Sequence, residues 1–347
     1  MEGIRIMQEA SHYRRENDLI YCELCPQDCR LKEGQRGICG VRVVKEGKLY
    51  STNYYLCGAL HFDPIEKKPL YHFYPGGDIL SIGTTGCNLH CLFCQNWGLA
   101  HGERDPGLEV ITSDKLLKLL HSRARKKQLG IAYTYNEPTV WYEFVLENAR
   151  FMAERGYNNV LVTNGLINPA PLKALLPFVQ GMNIDVKAFN DSFYRRYCRG
   201  KSIQHVQRTV EHSISTCHVE LTYLIISTLN DDMSEINRFI QWVASLDPDI
   251  PVHFSRYFPA HKLDLPPTSV ETMNQVYERA RETLSYVYLG NVMDIERSST
   301  YCPNCGNLLI VRGGLGIENR GMRGENCANC GHTIRIQGHI YGEEDDL

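Results

Sequence analysis

No apolar run of 18 residues occurs in the 347-residue chain, so nothing in it reads as a membrane span. Met1 to Arg15 is polar, mixed in charge and without the apolar stretch of a secretory signal peptide, and the expected location is cytoplasmic. Strong charge of either sign is missing too. Net charge is −3, and the one short basic stretch, Arg123-Ala124-Arg125-Lys126-Lys127, ends an amphipathic segment where positive charge suits a helix dipole. Neither nucleic acid nor a membrane is therefore an expected partner. There is no low-complexity tract, and no internal repeat beyond an alternating strand and helix rhythm. Cysteine, by contrast, is in excess, with 14 residues. All but Cys57, Cys198 and Cys217 fall into three groups with metal-ligand spacing, which in a reducing compartment point to metal or iron–sulfur sites rather than disulfides. Those outlying three read as ordinary buried thiols.

The most informative group is Cys87, Cys91 and Cys94, in the run from Gly83-Thr84-Thr85-Gly86 to Gln95-Asn96-Trp97. It offers three thiolates where a cubane [4Fe–4S] cluster has four irons, which leaves one iron open to a ligand from outside the protein. A zinc knuckle or a few buried thiols is the plainer alternative. The Gly-rich turn ahead of the cysteines favours a cluster cradle.

With 43% hydrophobic residues the chain can bury a sizeable core. Its middle alternates apolar runs with helical patterns, the signature of β/α units around a parallel sheet. Strands are expected at Ile79–Ile82, Ile131–Tyr135, Asn159–Thr163, Met182–Val186, Val219–Ile226 and Val252–Tyr257. Helices are expected at Ser113–Gln128, with Ser113 as N-cap and Leu116, Leu117, Leu119 and Leu120 as its apolar face, and at Thr139–Glu154, Pro171–Val179, Ile203–Thr216, Met233–Ser245 and Ser269–Leu284. Six repeats are too few to close an eight-stranded barrel, so the expected α/β fold is a partial (β/α)6 TIM-like barrel. The expected division is a cysteine-rich region over 1–78, the barrel over 79–297 and a terminal module over 298–347 ending in the acidic Glu343-Glu344-Asp345-Asp346. Prolines in the stretch from Asp63 to Gly76 suit an extended, irregular segment.

Both flanks carry cysteine sets. Cys302, Cys305, Cys327 and Cys330 form two C-x2-C-Gly knuckles, enough to complete a tetrahedron around structural zinc, with rubredoxin-like iron sharing that ligand set. Cys22, Cys25, Cys29 and Cys39 give a C-x2-C-x3-C-x9-C set suited to zinc or to an auxiliary iron–sulfur cluster.

The C-x3-C-x2-C loop, with aromatic Phe93 just before its last cysteine, resembles the cluster loop of the radical S-adenosylmethionine (SAM) superfamily. The resemblance implies that SAM chelates the open iron and that an electron from the reduced cluster, delivered by an external donor, cleaves the sulfonium. A 5′-deoxyadenosyl radical then takes a hydrogen atom from substrate. It also implies that SAM ligands lie at the ends of later strands. Asn136-Glu137-Pro138 occupies the place of the family's Gly-Gly-Glu segment, though it is also an ordinary helix start. Thr163-Asn164-Gly165 resembles a turn of the radical-activating branch. Asp185 and Lys187 alternate onto one side of their strand, either to hold the zwitterionic end of SAM or as a plain ion pair. His253 resembles the histidine that activating enzymes place near the SAM carboxylate, with Arg256 ranked below it.

Together with the segments Cys22 to Gly40 and Asp63 to Gly76 and the terminal knuckles, the loop makes the chain resemble the AmmeMemoRadiSam-system radical SAM enzymes, relatives of pyruvate formate-lyase activating enzyme. That resemblance implies Memo-like and AMMECR-like proteins as partners. One departure is Val162, where the activases have an acidic residue that helps hold a monovalent cation. Three functions follow as alternatives. The first is a radical SAM enzyme acting on an unidentified small molecule or protein, the second a glycyl-radical enzyme activase, and the third a non-enzymatic SAM-binding scaffold.

Overall fold

The computed structural model describes residues 6–102, 107–122, 127–313 and 316–342. The basic residues Arg123 to Lys126 and the acidic tail Glu343 to Asp346 lie outside them. An eight-stranded sheet forms the centre. In chain order its strands are β1 (Ala59–Pro64), β2 (Asp78–Gly83), β3 (Gln128–Tyr133), β4 (Asn158–Thr163), β5 (Gly181–Val186), β6 (His218–Ile225), β7 (Val252–Arg256) and β8 (Val287–Gly290). Each lies beside its neighbour in sequence. From β2 to β8 all pairs are parallel, whereas β1 is antiparallel to β2. Because β1 and β8 are the two edges and do not pair with each other, the sheet is a partial barrel.

The crossovers are α1 (Ser113–Ser122), α2 (Tyr142–Ala153), α3 (Pro169–Leu175), α4 (Gln204–Ser213), α5 (Met233–Leu246) and α6 (Val270–Arg281). Local chemistry explains their limits. Asp232 caps α5 by accepting from the Glu235 N–H at 2.9 Å, and Ile236, Phe239, Ile240 and Val243 then fall on one buried face. Ser269 caps α6 in the same way through Thr272. At α1 the cap is Thr112, whose hydroxyl accepts from the Lys115 N–H at 3.3 Å, and not the expected Ser113, whose own hydroxyl is buried without a partner among the described residues.

All six expected strands are present, and the sheet has two more. β1 comes from the stretch assigned to the amino-terminal region, so the sheet begins before the boundary expected at residue 78. β8 is four residues long, too short to stand out as an apolar run. β3 starts at Gln128, inside what the periodicity extends as helix, because Gly130 interrupts the run. That glycine has φ +144°, and a Cβ there would lie 2.1 Å from the Asn158 carbonyl, so the irregular register between β2 and β3 requires it.

The irregular segment after β1 turns inward. Leu70 and Phe73 are fully buried, the Pro69 carbonyl accepts from Asn183 Nδ2 at 2.8 Å, and the His72 N–H donates to Glu220 at 2.6 Å. This segment makes a floor across the first halves of β5 to β7. The terminal module, built on a sheet of Thr300–Tyr301, Leu308–Gly313 and Gly316–Asn319, docks on the same segment. Arg312 donates to the Tyr71 carbonyl at 2.6 Å, and His72 is hydrogen-bonded to Tyr288 at 2.6 Å and to the Arg335 carbonyl at 3.0 Å. No helix among the described residues is long and apolar enough to cross a membrane.

Candidate functional site

A cavity of about 380 Å³ opens where the loops after β2 to β7 converge, a size suited to a cofactor-sized ligand. The loop after β2 supplies Cys87, Cys91 and Cys94 to its wall. Backbone hydrogen bonds hold this loop against a π-helical turn at Tyr194–Cys198: His90 N–H to the Cys198 carbonyl at 2.8 Å and Leu92 N–H to the Tyr197 carbonyl at 2.9 Å. Gly86, at φ +95°, carries the chain into the loop where a Cβ would strike the Cys39 carbonyl at 2.8 Å.

The three thiols fit a cluster better than a single ion. Among the described residues, only Cys302, Cys305, Cys327 and Cys330 bring their ligand atoms within 4.8 Å of one another, so the loop cysteines stand too far apart to close on one metal. Burial, then the charges of Glu137 and Cys91, push the Cys87 thiol up, and burial pushes Cys94 up to about 11. Such thiols become thiolates when a cation compensates them. Cys91 moves down instead, because the Cys198 thiol donates to it more strongly than burial opposes. Cys198 is thus a neighbour of the cluster loop and not an ordinary buried thiol. No sequence spacing links it to Cys91, since the π-helical turn brings it there. Cys57 and Cys217 are ordinary, bonded to the Ala59 and Ser213 carbonyls.

Glu137 lies on the cavity wall, is 2% exposed and accepts three hydrogen bonds. One carboxylate oxygen accepts from the Thr139 N–H at 2.9 Å and the Thr163 hydroxyl at 2.8 Å; the other accepts from the Asn164 N–H at 2.8 Å. It caps the helical start and ties it to the turn after β4. Asn164 then donates to Cys87 Sγ at 3.9 Å and to Asn88 Oδ1 at 2.8 Å, so the path from Glu137 ends on the cluster loop. Asn136 also serves that loop, accepting from the Thr84 N–H at 3.1 Å and donating to the Gly86 carbonyl at 2.8 Å.

Asp185 in β5 and Lys187 just past its end form an ion pair 2.8 Å long, and both line the cavity. Burial disfavours the Lys187 cation, but Asp185, aided by Cys91, outweighs it and raises its pKa, so Lys187 stays charged at neutral pH. Phe93 also lines the cavity, its ring 5.8 Å from that of Phe193. His253 faces inward but one layer too deep. It is 3% exposed, hydrogen-bonded to Glu220 at 2.6 Å and stacked on Tyr288; Ser255, two residues later, reaches the cavity wall instead. Arg256 points elsewhere, donating to the Thr268 carbonyl at 2.6 Å.

At the carboxyl end Cys302 and Cys330 are 3.6 Å apart and Cys305 and Cys327 3.7 Å apart. A tetrahedron of metal–sulfur bonds about 2.3 Å long has edges of about 3.8 Å, so this set is shaped for one ion. A hydrogen bond from Asn304 pulls the exposed Cys330 thiol down to about 6, towards the thiolate a metal needs.

The Radical SAM superfamily profile matches residues 81–243. An uncharacterized protein of Methanocaldococcus jannaschii, MJ0808, is 40% identical over 346 residues, covering 95% of this chain and 99% of its own. Among solved structures, a domain of pyruvate-formate lyase-activating enzyme from Bacteroides vulgatus is 17% identical with a TM-score of 0.41, covering 47% of this chain and 99% of that one. SuiB of Streptococcus suis bound to S-adenosylmethionine is 11% identical with a TM-score of 0.48, covering 65% and 53% respectively. Residues 81–243 are a radical SAM domain, the mark of an enzyme, and along 95% of its length the chain belongs to the same family as MJ0808.

Proposed function

We propose that the protein cleaves SAM reductively and uses the resulting radical to abstract hydrogen from an unidentified small molecule or protein. The family implies a [4Fe–4S] cluster and SAM. The observation that carries the reading is that the three loop thiols and the Asp185–Lys187 ion pair line one cavity. A [4Fe–4S] cluster held there would supply the electron that splits the SAM sulfonium into methionine and a 5′-deoxyadenosyl radical. Cys87, Cys91 and Cys94 are its ligands. Lys187 presents a retained positive charge to the SAM carboxylate, and Asp185 holds that ammonium in place and accepts from the SAM amine. Glu137 and Asn164 position the loop through Cys87 rather than binding SAM themselves. Val162, also on the cavity wall, offers no side-chain carboxylate for a monovalent cation, which favours this general reading over an activase. An external electron donor, Memo-like and AMMECR-like partners and a cytoplasmic location belong to the same proposal, and a SAM-binding scaffold is the alternative it must beat.

The test is anaerobic reconstitution, reduction and addition of SAM, read by electron paramagnetic resonance (EPR) and by yield of 5′-deoxyadenosine. A reduced-cluster signal altered by SAM, with product formed, is expected. An unaltered signal with no product overturns the proposal in favour of the scaffold. Lys187→Met should weaken SAM binding roughly tenfold to a hundredfold, the worth of a charge-assisted hydrogen bond, with loop iron retained.

The carboxyl-terminal tetrahedron we assign to structural zinc, because four thiolates leave no open position for chemistry. Cys305→Ala is expected to release one zinc per chain and to make residues 298–342 the first segment cut by protease, while the barrel keeps its far-ultraviolet dichroism. Full zinc retention would contradict this assignment.

A further inference from the structure

A second set of thiols stands beside the cluster loop. Cys22 ends a short strand, Leu19–Cys22, and its N–H donates to the Cys29 carbonyl at 3.0 Å, folding the C-x2-C-x3-C turn back on itself. The Gly37 N–H donates to the Arg42 carbonyl at 2.8 Å and brings Cys39 alongside. A methyl group at Gly37 would touch Cys29 Sγ at 3.6 Å and Cys39 Sγ at 3.7 Å, so the glycine keeps the space between those sulfurs open. Cys22 and Cys25 are buried, and each is close enough to feel the charges of Cys29 and Cys39. Yet no three of these sulfurs fall within 4.8 Å of one another, in contrast to the terminal tetrahedron.

Arg42 adds an independent observation. Its side chain is 2% exposed, and Nη2 alone pairs with Glu143, at 2.7 and 2.8 Å. Nε and Nη1 are buried with no hydrogen-bond partner among the described residues, although Cys22 and Cys39 lie within reach of the guanidinium's charge. Two buried donors left unmet beside four thiols call for an acceptor that the protein does not itself provide.

We infer that Cys22, Cys25, Cys29 and Cys39 hold a second [4Fe–4S] cluster, with Arg42 donating to its sulfurs. The thiols are too widely set for one zinc ion and suit the broader cubane, and four protein ligands leave no iron open, so this cluster does not bind SAM. It sits against the first. The Cys39 carbonyl packs on Gly86, His90 Nε2 is hydrogen-bonded to the Ile38 carbonyl at 2.9 Å, and Gln27 donates to the Asn88 carbonyl at 2.6 Å. The inference goes beyond the proposed reaction and does not depend on it.

The test begins with the wild-type chain, purified and reconstituted without oxygen, which should carry about eight iron and eight acid-labile sulfide per chain. A chain with Cys87→Ala, Cys91→Ala and Cys94→Ala should keep about four of each and give a reduced-cluster EPR signal that SAM does not alter. Adding Cys25→Ser to that chain should remove this signal. Arg42→Gln in the same background should keep the iron and shift the cluster's potential to more negative values, because a donor to the sulfurs is gone. About four iron in the wild-type chain with a second zinc, or with the amino-terminal thiols free, overturns the inference whether or not the variants fold. Absent SAM cleavage alongside about eight iron would instead count against the proposed reaction alone.

Discussion

Cys94→Ala is expected to reduce 5′-deoxyadenosine formation by at least roughly a thousandfold, to assay background, while Cys198→Ala leaves it within a few-fold of wild type. Both thiols lie beside Cys91, so proximity alone does not separate them. The distinction is where each one faces. Cys94 lines the cavity, and its loss leaves two thiolates for the cluster. Cys198 is fully buried behind Cys91 and donates to it, so its loss removes a hydrogen bond to a ligand and no ligand. Cys198→Ala should therefore shift the cluster potential and leave iron content unchanged. SAM-dependent cleavage retained in Cys94→Ala would falsify the ligand assignment.

The cluster loop was legible because cysteine spacing along a chain directly limits what the thiols can hold. The barrel was legible because strands such as β4 carry a continuous apolar run, Val160, Leu161 and Val162, that is apolar on both faces, as a strand covered on both sides must be. Depth within the barrel was not legible. Alternation puts His253 and Ser255 on the same face of β7, but which of them meets the cavity depends on how β7 registers with β6 and β8 and on the inward turn of the Leu70 to Phe73 segment. The sequence pattern carries neither. Glu220, which takes up His253, is hidden for the same reason: it is a lone carboxylate in its strand, and two of its three partners, His72 and His253, come from distant parts of the chain. Cys198 depended on a π-helical turn ending in Arg199 at φ +54°, a backbone irregularity with no residue signature. Glu137 lies on the cavity wall, but its hydrogen bonds to the turn after β4 take shape only once Thr163 and Asn164 are in place.

Acid is expected to loosen the barrel floor, and His72 sets where that begins. Burial pushes the His72 imidazole down to about 4, against the pull of the Glu220 carboxylate, and it is neutral where it meets Tyr288. An unfolded histidine takes up a proton near pH 6.5. The sign follows from proton counts: between about pH 6.5 and 4 the unfolded chain binds the extra proton, so stability is complete above that window and falls as pH drops through it. This one group accounts for about 1 kcal/mol by pH 5.5 and about 3 kcal/mol by pH 4. Glu220 acts in the same direction further down. Burial opposes its charge, but hydrogen bonds from His218 and His253 prevail and hold it well below the usual carboxylate range, so its contribution is lost only in stronger acid. Glu220→Gln strips the charge from a buried group with two histidine partners and should cost about 3–5 kcal/mol at neutral pH, read as a lowered denaturation midpoint. His72→Gln separates the floor from acid release of metal, which acts on both proteins alike. Its midpoint should fall less than that of wild type between about pH 7.5 and 5.5, by the contribution of a single histidine. Equal falls in the two proteins would mean that the neutral imidazole under the cavity does not set the acid limit of this fold.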